Sequence, residues 1–233
     1  MFNKFRTLNK KNLNKSKCLS VDPYIITIDN FLSLELCNYF INLGNKRMER
    51  GLDFNYLPTN KRQCSVSFFQ RNQNKKIKEL VDLISSQIRL SKYSLEPIQV
   101  SHYSSHEYYA YHHDAFPEVI KSKTITTEHP QKKFWISRER LGLNQRIYTA
   151  IIYLNKPKAG GETRFDVPGI NIEPEIGKLA IFRNVLDKTN KMDPNSSHSG
   201  LPVLEGEKWI LTMWYNSFTI KGRILMIIKV IRK

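Results

Sequence analysis

Residues 109–114 read Tyr-Ala-Tyr-His-His-Asp, and this stretch decides how the rest of the chain is interpreted. The run predicts a β-strand, in which successive side chains point to opposite faces of the sheet. His112 and Asp114 then point the same way, while His113 points away. An imidazole and a carboxylate placed like this can take two adjacent positions on a metal ion. Because His-x-Asp is frequent by chance, the pair alone is more often structural than metal-binding.

His198 is a third candidate ligand further along the chain. Two histidines and one carboxylate leave three positions open on a metal, which is the arrangement of non-haem Fe(II) oxygenases. Ten residues later, Lys208 begins a predicted strand on which Ile210, Thr212 and Trp214 share its face. A cation on the inner face of an apolar barrel is costly unless it meets an anion. Lys208 is therefore a candidate for binding the far carboxylate of a dicarboxylate cosubstrate, and a lysine that reaches solvent from the strand start is the structural alternative.

The N-terminal third of the chain shows mixed α and β patterns. Apolar spacing predicts helices over 34–43 and 76–90. Ser33 is placed to cap the first helix and Gly44 to stop it. The predicted strands of this part are Tyr24–Ile28 and Cys64–Phe69.

After Pro97, short β-branched and aromatic runs are separated by turn residues, which is typical of an antiparallel sandwich or barrel. The segment 115–145 has no clean period and is interpreted as an inserted loop. The apolar run at 220–231 is too short to span a bilayer and is interpreted as an extra strand. The predicted strands are Ile98–Tyr103, Glu107–His113, Ile147–Leu154, Thr163–Phe165, Ile170–Ile172, Leu179–Phe182 and Trp209–Trp214.

The positive charge of the chain is concentrated in three places. The 233 residues carry 37 Lys+Arg against 21 Asp+Glu, a net charge of +16. Residues 1–17 and 219–233 contain basic and no acidic residues, and 120–146 is also strongly basic, so the remainder is close to neutral. Attraction to polyanions or acidic partners is one interpretation of this charge, and solubility or genome bias is the other. The abundance of Lys, Asn and Ile indicates an AT-rich genome, such as that of a large virus or a microbe.

Cysteine content and hydropathy bear on the compartment. Cys18, Cys37 and Cys64 are too few and too scattered for a disulfide framework or a thiolate zinc site. The basic N-terminus lacks the apolar run of a signal peptide, which predicts a cytoplasmic protein. The sequence contains no stretch of about 20 apolar residues, so no membrane span is predicted.

Several motifs agree in order, spacing and residue type with one known family. They are Tyr103, Tyr109-x-x-His112-x-Asp114, Arg146, Ile151–Asn155, Gly160-Gly161-x-Thr163-x-Phe165, Gly177-x-Leu179-Ala180-Ile181-Phe182 and His198-x-x-x-Pro202-Val203-Leu204-x-Gly206-x-Lys208-Trp209. Residues from about 97 to 217 thereby resemble the catalytic domain of the prolyl 4-hydroxylases, which are Fe(II)- and 2-oxoglutarate-dependent dioxygenases. The resemblance reaches more weakly into helix 34–43 and residues 62–69.

The resemblance implies an α+β fold with a double-stranded β-helix (jelly-roll) core and supporting N-terminal helices. On this basis we divide the chain into four regions. They are a basic flexible arm at 1–20, an α+β support region at 21–96, the dioxygenase domain at 97–218 with an insert at about 115–145, and a basic tail at 219–233.

The resemblance also implies roles for individual residues. His112, Asp114 and His198 would bind Fe(II), with no catalytic residue beyond this metal site, and Lys208 would hold the C5 carboxylate of 2-oxoglutarate. The further predicted cosubstrate-binding residues are Tyr153, Tyr103 and Thr212. The implied cofactors are Fe(II), 2-oxoglutarate, O2 and ascorbate (vitamin C).

The implied function is hydroxylation of peptidyl proline in proline-rich or collagen-like chains, with a proline-rich or acidic peptide or protein as partner. Lysyl residues or a small molecule would keep the same chemistry, because the motifs specify iron and cosubstrate rather than the target. A nucleic-acid-dealkylating oxygenase is disfavoured. Such enzymes hold the cosubstrate through arginines after the distal histidine, whereas no arginine occurs between His198 and Arg223. A non-catalytic basic binding module with a relict site is the alternative of another class, and salt-dependent nucleic-acid binding without turnover would support it.

Overall fold

Two antiparallel sheets, a two-stranded ribbon and two α-helices form the described part of a computed structural model of the chain, which covers residues 16–51, 60–116, 143–218 and Ile224. The helices are α1 (Leu34–Asn45) and α2 (Lys75–Gln87). The strands are β1 (Lys17–Val21), β2 (Tyr24–Ile28), β3 (Glu49–Arg50), β4 (Ser65–Phe69), β5 (Ile98–Tyr103), β6 (Tyr109–His112), β7 (Leu143–Tyr153), β8 (Ala159–Gly160), β9 (Thr163–Phe165), β10 (Ile170–Ile172), β11 (Leu179–Arg183), β12 (His198–Gly200), β13 (Val203–Glu205) and β14 (Lys208–Phe218).

The larger sheet, here called the major sheet, has the strand order β1-β2-β11-β7-β14-β5-β4-β3. The minor sheet has the order β10-β9-β12-β6, and β13 pairs with β8 as a separate ribbon. A cluster of buried side chains, including Ile25, Val66 and Ile151 of the major sheet and Phe165 and Ile172 of the minor sheet, packs between the two. This antiparallel two-sheet arrangement confirms the predicted jelly-roll core.

Alternation along β14 separates the two faces of the major sheet. Ile210 packs in the cluster between the sheets, whereas Trp209, Leu211 and Met213 pack in the second core on the opposite face. Four residues of β14 were predicted to share one face, and all four line the same cavity: Lys208, Ile210, Thr212 and Trp214.

Both helices bury their apolar stripes against the outer face of the major sheet. The side chain of Ser33 caps α1 as predicted, accepting a hydrogen bond from Leu36 N at 3.3 Å. The predicted stop at Gly44 is wrong, because α1 continues to Asn45 with Gly44 buried. A Cβ at Gly44 would lie 2.7 Å from Val100 Cγ1. The glycine therefore serves the close approach of helix to sheet rather than the helix end.

The other predicted boundaries shift by a few residues. Helix α2 ends at Gln87, before the predicted residue 90, and Arg89 takes a left-handed φ of 54°. Residues 17–20, assigned above to the flexible arm, pair with β2 as part of β1. Residues 143–145 of the predicted insert belong to β7, and the rest of the insert after Phe116 lies outside the described residues.

Several predictions fall on parts of the chain that the structure does not describe. They are most of the N-terminal arm, most of the 115–145 insert and, apart from Ile224, both the tail at 219–233 and the extra strand at 220–231. The division into four regions stays a prediction. Neither described helix is long and apolar enough to cross a membrane.

Two glycines with left-handed backbone allow a matched test of this packing. Gly177 (φ 74°) and Gly169 (φ 63°) both lie in turns, and a Cβ at Gly177 would overlap the carbonyl oxygen of Leu32, whereas none of the described atoms lies within 4 Å of a Cβ at Gly169. We expect Gly169→Ala to lower the free energy of unfolding by about 1 kcal/mol, the cost of a side chain in this conformation. Gly177→Ala should cost about 3 kcal/mol, because an overpacking penalty is added. Urea denaturation followed by circular dichroism measures both, and equal losses would contradict the predicted clash.

Candidate active site

The three predicted metal ligands come together in the cavity between the sheets. Strands β6 and β12 are neighbours in the minor sheet, and their register places His112 opposite His198. Asp114 follows β6, and its carboxylate oxygens lie 3.8 Å from His112 Nε2 and 3.7 Å from His198 Nε2. The three potential ligand atoms lie within 4.8 Å of one another.

Backbone carbonyls orient both imidazole rings. His112 Nδ1 lies 2.9 Å from Ala110 O, and His198 Nδ1 lies 3.0 Å from Ser196 O. Because a carbonyl oxygen accepts, each Nδ1 carries a proton, and it is the Nε2 of each ring that is directed at the cluster. Burial, with the nearby His198, lowers the pKa of His112 to about 3, so that its ring is neutral at physiological pH. His112 is therefore in the neutral form that binds a metal, and the Nε2 of each ring faces Asp114.

Asp114 is buried and held by a short relay of hydrogen bonds. Thr149 Oγ1 donates to Asp114 Oδ2 at 2.6 Å, and Asn184 Nδ2 donates to Thr149 Oγ1 at 2.8 Å. Burial by itself would raise the pKa of Asp114, but His198, His112 and Arg146 and the Thr149 hydrogen bond lower it. The carboxylate is therefore ionised and fixed in orientation, as a metal ligand must be.

Lys208 is fully buried at the start of β14. Its Nζ lies 5.4 Å from the ring centroid of Tyr103, and no carboxylate of the described residues lies within ion-pair distance. Burial lowers the pKa of Lys208 to about 8, even though Glu162 acts to raise it. Gly161 makes room for the side chain, since a Cβ at this position would lie 3.2 Å from Lys208 Cδ. The structure thus contains a buried ammonium that an anion would stabilise.

The other predicted cosubstrate residues divide into two groups. Tyr103 and Thr212 line the same cavity as Lys208. Tyr153 is buried, but its hydroxyl donates to Thr163 Oγ1 at 2.7 Å, and Thr163 rather than Tyr153 lines the cavity. Contact between Tyr153 and the cosubstrate stays a prediction, because Thr163 stands between the tyrosine hydroxyl and the cavity.

A single cavity joins the metal ligands to Lys208. It holds about 420 Å³ of empty space, part of which opens to solvent. Its lining residues are Arg62, Gln99, Ser101, Tyr103, Tyr109, His112, Asp114, Ile151, Thr163, His198, Gly200, Lys208, Ile210, Thr212 and Trp214.

Trp214 of this lining is held by a buried ion pair behind it. Arg146 lies 4.3 Å from the Trp214 ring and donates two hydrogen bonds to Glu96, at 2.6 and 3.0 Å. Asn216 Nδ2 donates to the same carboxylate at 3.0 Å. No role was predicted for Arg146 from the sequence, because its partner Glu96 is 50 residues away in the chain.

Several lining residues were not predicted from the sequence, among them Arg62, Gln99, Ser101 and Thr163. Gln99 and Ser101 lie on β5, and the amide of Gln99 donates to Ser101 Oγ at 2.6 Å. Because Gln99 and Ser101 are two residues apart on a predicted strand, their spacing predicts that the two side chains lie on the same face of the sheet. Arg62 precedes β4 in a segment without periodicity, so the weak family resemblance at residues 62–69 included it but no periodic pattern indicated its place in the cavity.

A sequence model described as the 2OG-Fe(II) oxygenase superfamily matches residues 98–216, which contain all three candidate ligands and Lys208. The chain belongs to this superfamily. It is therefore a 2-oxoglutarate-dependent dioxygenase with Fe(II) and 2-oxoglutarate as cofactors, and O2 and ascorbate follow from the family.

Individual relatives confirm the resemblance to prolyl 4-hydroxylases. A protein of Acanthamoeba polyphaga mimivirus, provisionally named a prolyl 4-hydroxylase, is 27% identical over 220 residues, which cover 92% of this chain and 85% of the relative. Probable prolyl 4-hydroxylase 3 of Arabidopsis thaliana is 27% identical over 232 residues, with 89% and 74% of the two chains covered.

Solved structures agree with this assignment. The viral collagen prolyl hydroxylase of Paramecium bursaria Chlorella virus-1, solved in complex with 2-oxoglutarate, has a TM-score of 0.59 and 26% identity, and the match covers 83% of this chain and 96% of that one. A Pseudomonas putida prolyl-4-hydroxylase has a TM-score of 0.57 at 17% identity, which shows the shared fold alone.

Proposed function

We propose that this dioxygenase hydroxylates peptidyl proline, with His112, Asp114 and His198 as the iron ligands and Lys208 as the cosubstrate anchor. The observation that carries the proposal is a buried lysine in the same cavity as a two-histidine, one-carboxylate cluster. The names of the relatives support proline as the target.

The donor set fits Fe(II). Two imidazole nitrogens and one carboxylate oxygen converge within 4.8 Å, and this set with open positions is typical of non-haem iron oxygenases. The bound iron and 2-oxoglutarate supply the activation of O2, which couples oxidative decarboxylation of the cosubstrate to hydroxylation of a C–H bond. The protein binds, orients and shields these groups.

The residues at the Lys208 end suit a carboxylate. The ammonium of Lys208 can pair with the C5 carboxylate of 2-oxoglutarate, which offsets the cost of burying both charges. Tyr153 donates its hydroxyl hydrogen to Thr163 Oγ1, so that the hydroxyl hydrogen of Thr163 can be donated to the same carboxylate. Tyr103 and Thr212 complete the wall around the cosubstrate.

The metal end of the cavity suits a compact apolar ring. Tyr109 and Trp214 present aromatic surface near Asp114 and the histidines, and this surface can pack on the pyrrolidine of a proline.

The first and last residues of the basic insert lie close to the metal end of the cavity. Phe116 N donates to Gln145 Oε1 at 2.7 Å and Gln145 Nε2 donates to Phe116 O at 2.8 Å, only two residues after Asp114. We therefore propose proline-rich or acidic chains as preferred substrates.

The biological setting is part of the same proposal. The Lys-, Asn- and Ile-rich composition and the mimivirus relative support a viral origin. The cytoplasmic location stays a prediction.

A peptide assay tests the substrate. We expect a (Pro-Pro-Gly)n peptide incubated with enzyme, Fe(II), 2-oxoglutarate and ascorbate to gain the mass of one oxygen atom per modified proline in mass spectrometry. An (Ala-Ala-Gly)n peptide of equal length is the matched control and should gain none. Peptides flanked by Glu should show a lower KM than the same peptides flanked by Lys.

Succinate release without an added oxygen on any proline peptide would remove the prolyl assignment while leaving the dioxygenase assignment intact. In that case, lysyl peptides and small molecules become the next targets. Equal KM values for the Glu- and Lys-flanked peptides would remove the acidic preference.

A further inference from the structure

The residues just before β4 lie along the outer edge of β6, the strand that carries His112. Gln63 N donates to Tyr108 O at 2.9 Å, and Ala110 N donates to Lys61 O at 2.7 Å. Arg62 is thereby the bridge partner of Tyr109. This pairing joins the start of β4 in the major sheet to the edge strand of the minor sheet, and it places the side chain of Arg62 next to the metal ligands.

A continuous row of side-chain contacts leads from Cys64 to His112. Arg62 Nε donates to Cys64 Sγ at 3.3 Å. The guanidinium carbon of Arg62 lies 4.8 Å from the ring centroid of Tyr109. The Tyr109 ring stacks on the His112 ring, with centroids 3.6 Å apart and planes 16° apart. The row ends on the face of the His112 ring, whose edge is already held by the hydrogen bond to Ala110 O.

The two histidines of the candidate iron site are supported in different ways. The side chain of His198 is 4% exposed and contacts the core rings of Phe165 and Phe182, with centroids 5.4 and 4.6 Å away. The side chain of His112 is 18% exposed and stacks on Tyr109, which is itself half-buried. Beyond the backbone hydrogen bond that each histidine makes, the ring of His112 is thus supported by the Arg62–Tyr109 contact, whereas the ring of His198 is supported by the core.

We infer that Arg62 is a positioning residue for the metal site, holding the Tyr109 ring and through it the imidazole of His112. The inference rests on the proposed role of His112 as an iron ligand. A ligand that is already oriented loses less rotational freedom when the metal binds, so fixing the ring raises metal affinity.

Metal binding without peptide or cosubstrate tests the inference. We expect Arg62→Met to weaken Co(II) binding about fivefold to tenfold by isothermal titration calorimetry, because partners that orient ligands typically contribute about 10- to 100-fold and Arg62 acts one residue further out. Arg62→Lys keeps the charge but loses the planar group, and should fall between wild type and Arg62→Met. Arg71→Met is the matched control, since Arg71 also lies over a tyrosine ring, that of Tyr93 at 5.5 Å, but does not line the cavity.

A double-mutant cycle identifies the route. If Arg62 acts through the tyrosine ring, Arg62→Met should have no further effect on Co(II) affinity once Tyr109→Leu is present. Additive effects of the two substitutions would overturn the route through Tyr109. Circular dichroism of each variant establishes that the fold is retained.

The outcomes separate the inference from the proposed function. Absence of Co(II) binding by the wild-type protein would overturn the iron site itself. Wild-type binding with unchanged affinity in Arg62→Met would overturn the positioning role alone. An Arg62→Met protein with normal Co(II) affinity and a raised peptide KM would make Arg62 a substrate contact instead.

Discussion

Replacement of His112 by alanine is expected to abolish 2-oxoglutarate-dependent succinate release, with a loss of more than about 100-fold. Even residues that only orient a ligand typically contribute about 10- to 100-fold to metal affinity or activity, and His112 is proposed as a ligand itself. The Nε2 of His112 lies 3.8 Å from Asp114, and its Nδ1 is committed to Ala110 O. Among the described residues, the cluster contains no histidine other than His112 and His198, so no further imidazole is available to replace His112.

His102→Ala is the matched control for this experiment. His102 pairs with Glu207 at 2.8 Å and stacks on Trp209, outside the cavity lining. Loss of such a partly exposed pair costs at most about 1 kcal/mol of stability and should leave succinate release near the wild-type rate. Wild-type-like activity of His112→Ala would overturn the assignment of the iron ligands.

Replacement of Lys208 by alanine is expected to raise the KM for 2-oxoglutarate by about 100-fold, with a smaller change in kcat. Removing one partner of a buried charge pair costs roughly 2–5 kcal/mol, and each ~1.4 kcal/mol corresponds to a factor of ten. The effect is expected on cosubstrate binding, because the substitution leaves the candidate metal ligands His112, Asp114 and His198 unchanged. Steady-state succinate release at varied 2-oxoglutarate measures both constants.

Lys158→Ala is the control, since Lys158 is an exposed lysine that pairs with Glu205 at 2.7 Å. An unchanged KM in Lys208→Ala would overturn the anchoring role.

The pH dependence of the wild-type protein offers a second test of the same role. Because burial lowers the pKa of Lys208 to about 8, the anchoring ammonium is present below that pH and is lost as the pH rises through it. The KM for 2-oxoglutarate should therefore rise above pH 8 in wild type and show no such rise in Lys208→Ala.

Local patterns in the sequence were sufficient for much of the fold. The spacing of apolar residues predicts which side of α1, α2 and β14 is buried. Side chains on one side recur about every 3.6 residues in a helix and every 2 residues in a strand, so burial of that side leaves the same period in the sequence. The end of α1 was predicted wrongly for a related reason. A glycine near a helix end is a common stop, whereas Gly44 is needed for contact with Val100, a residue of β5.

Five strands were missed altogether: β1, β3, β8, β12 and β13. Each has two to five residues, and most contain Gly, Ser or charged residues without alternation. Such segments become strands because a neighbour offers hydrogen-bonding groups in register. Strand β12, for example, pairs with both β9 and β6, so that His198 lies opposite Phe165 on one side and His112 on the other.

The sequence by itself determined the chemistry: two histidines and an aspartate, and a lysine ten residues after the second histidine on an inward strand face. These follow from residue type, spacing and alternation, which are local properties. The tertiary structure alone decided that His198 stands opposite His112, that Thr163 intervenes between Tyr153 and the cavity, and that Arg62 supports Tyr109. Those relations join residues from 10 to 86 positions apart, and their geometry depends on how the two sheets pack, which no local pattern records.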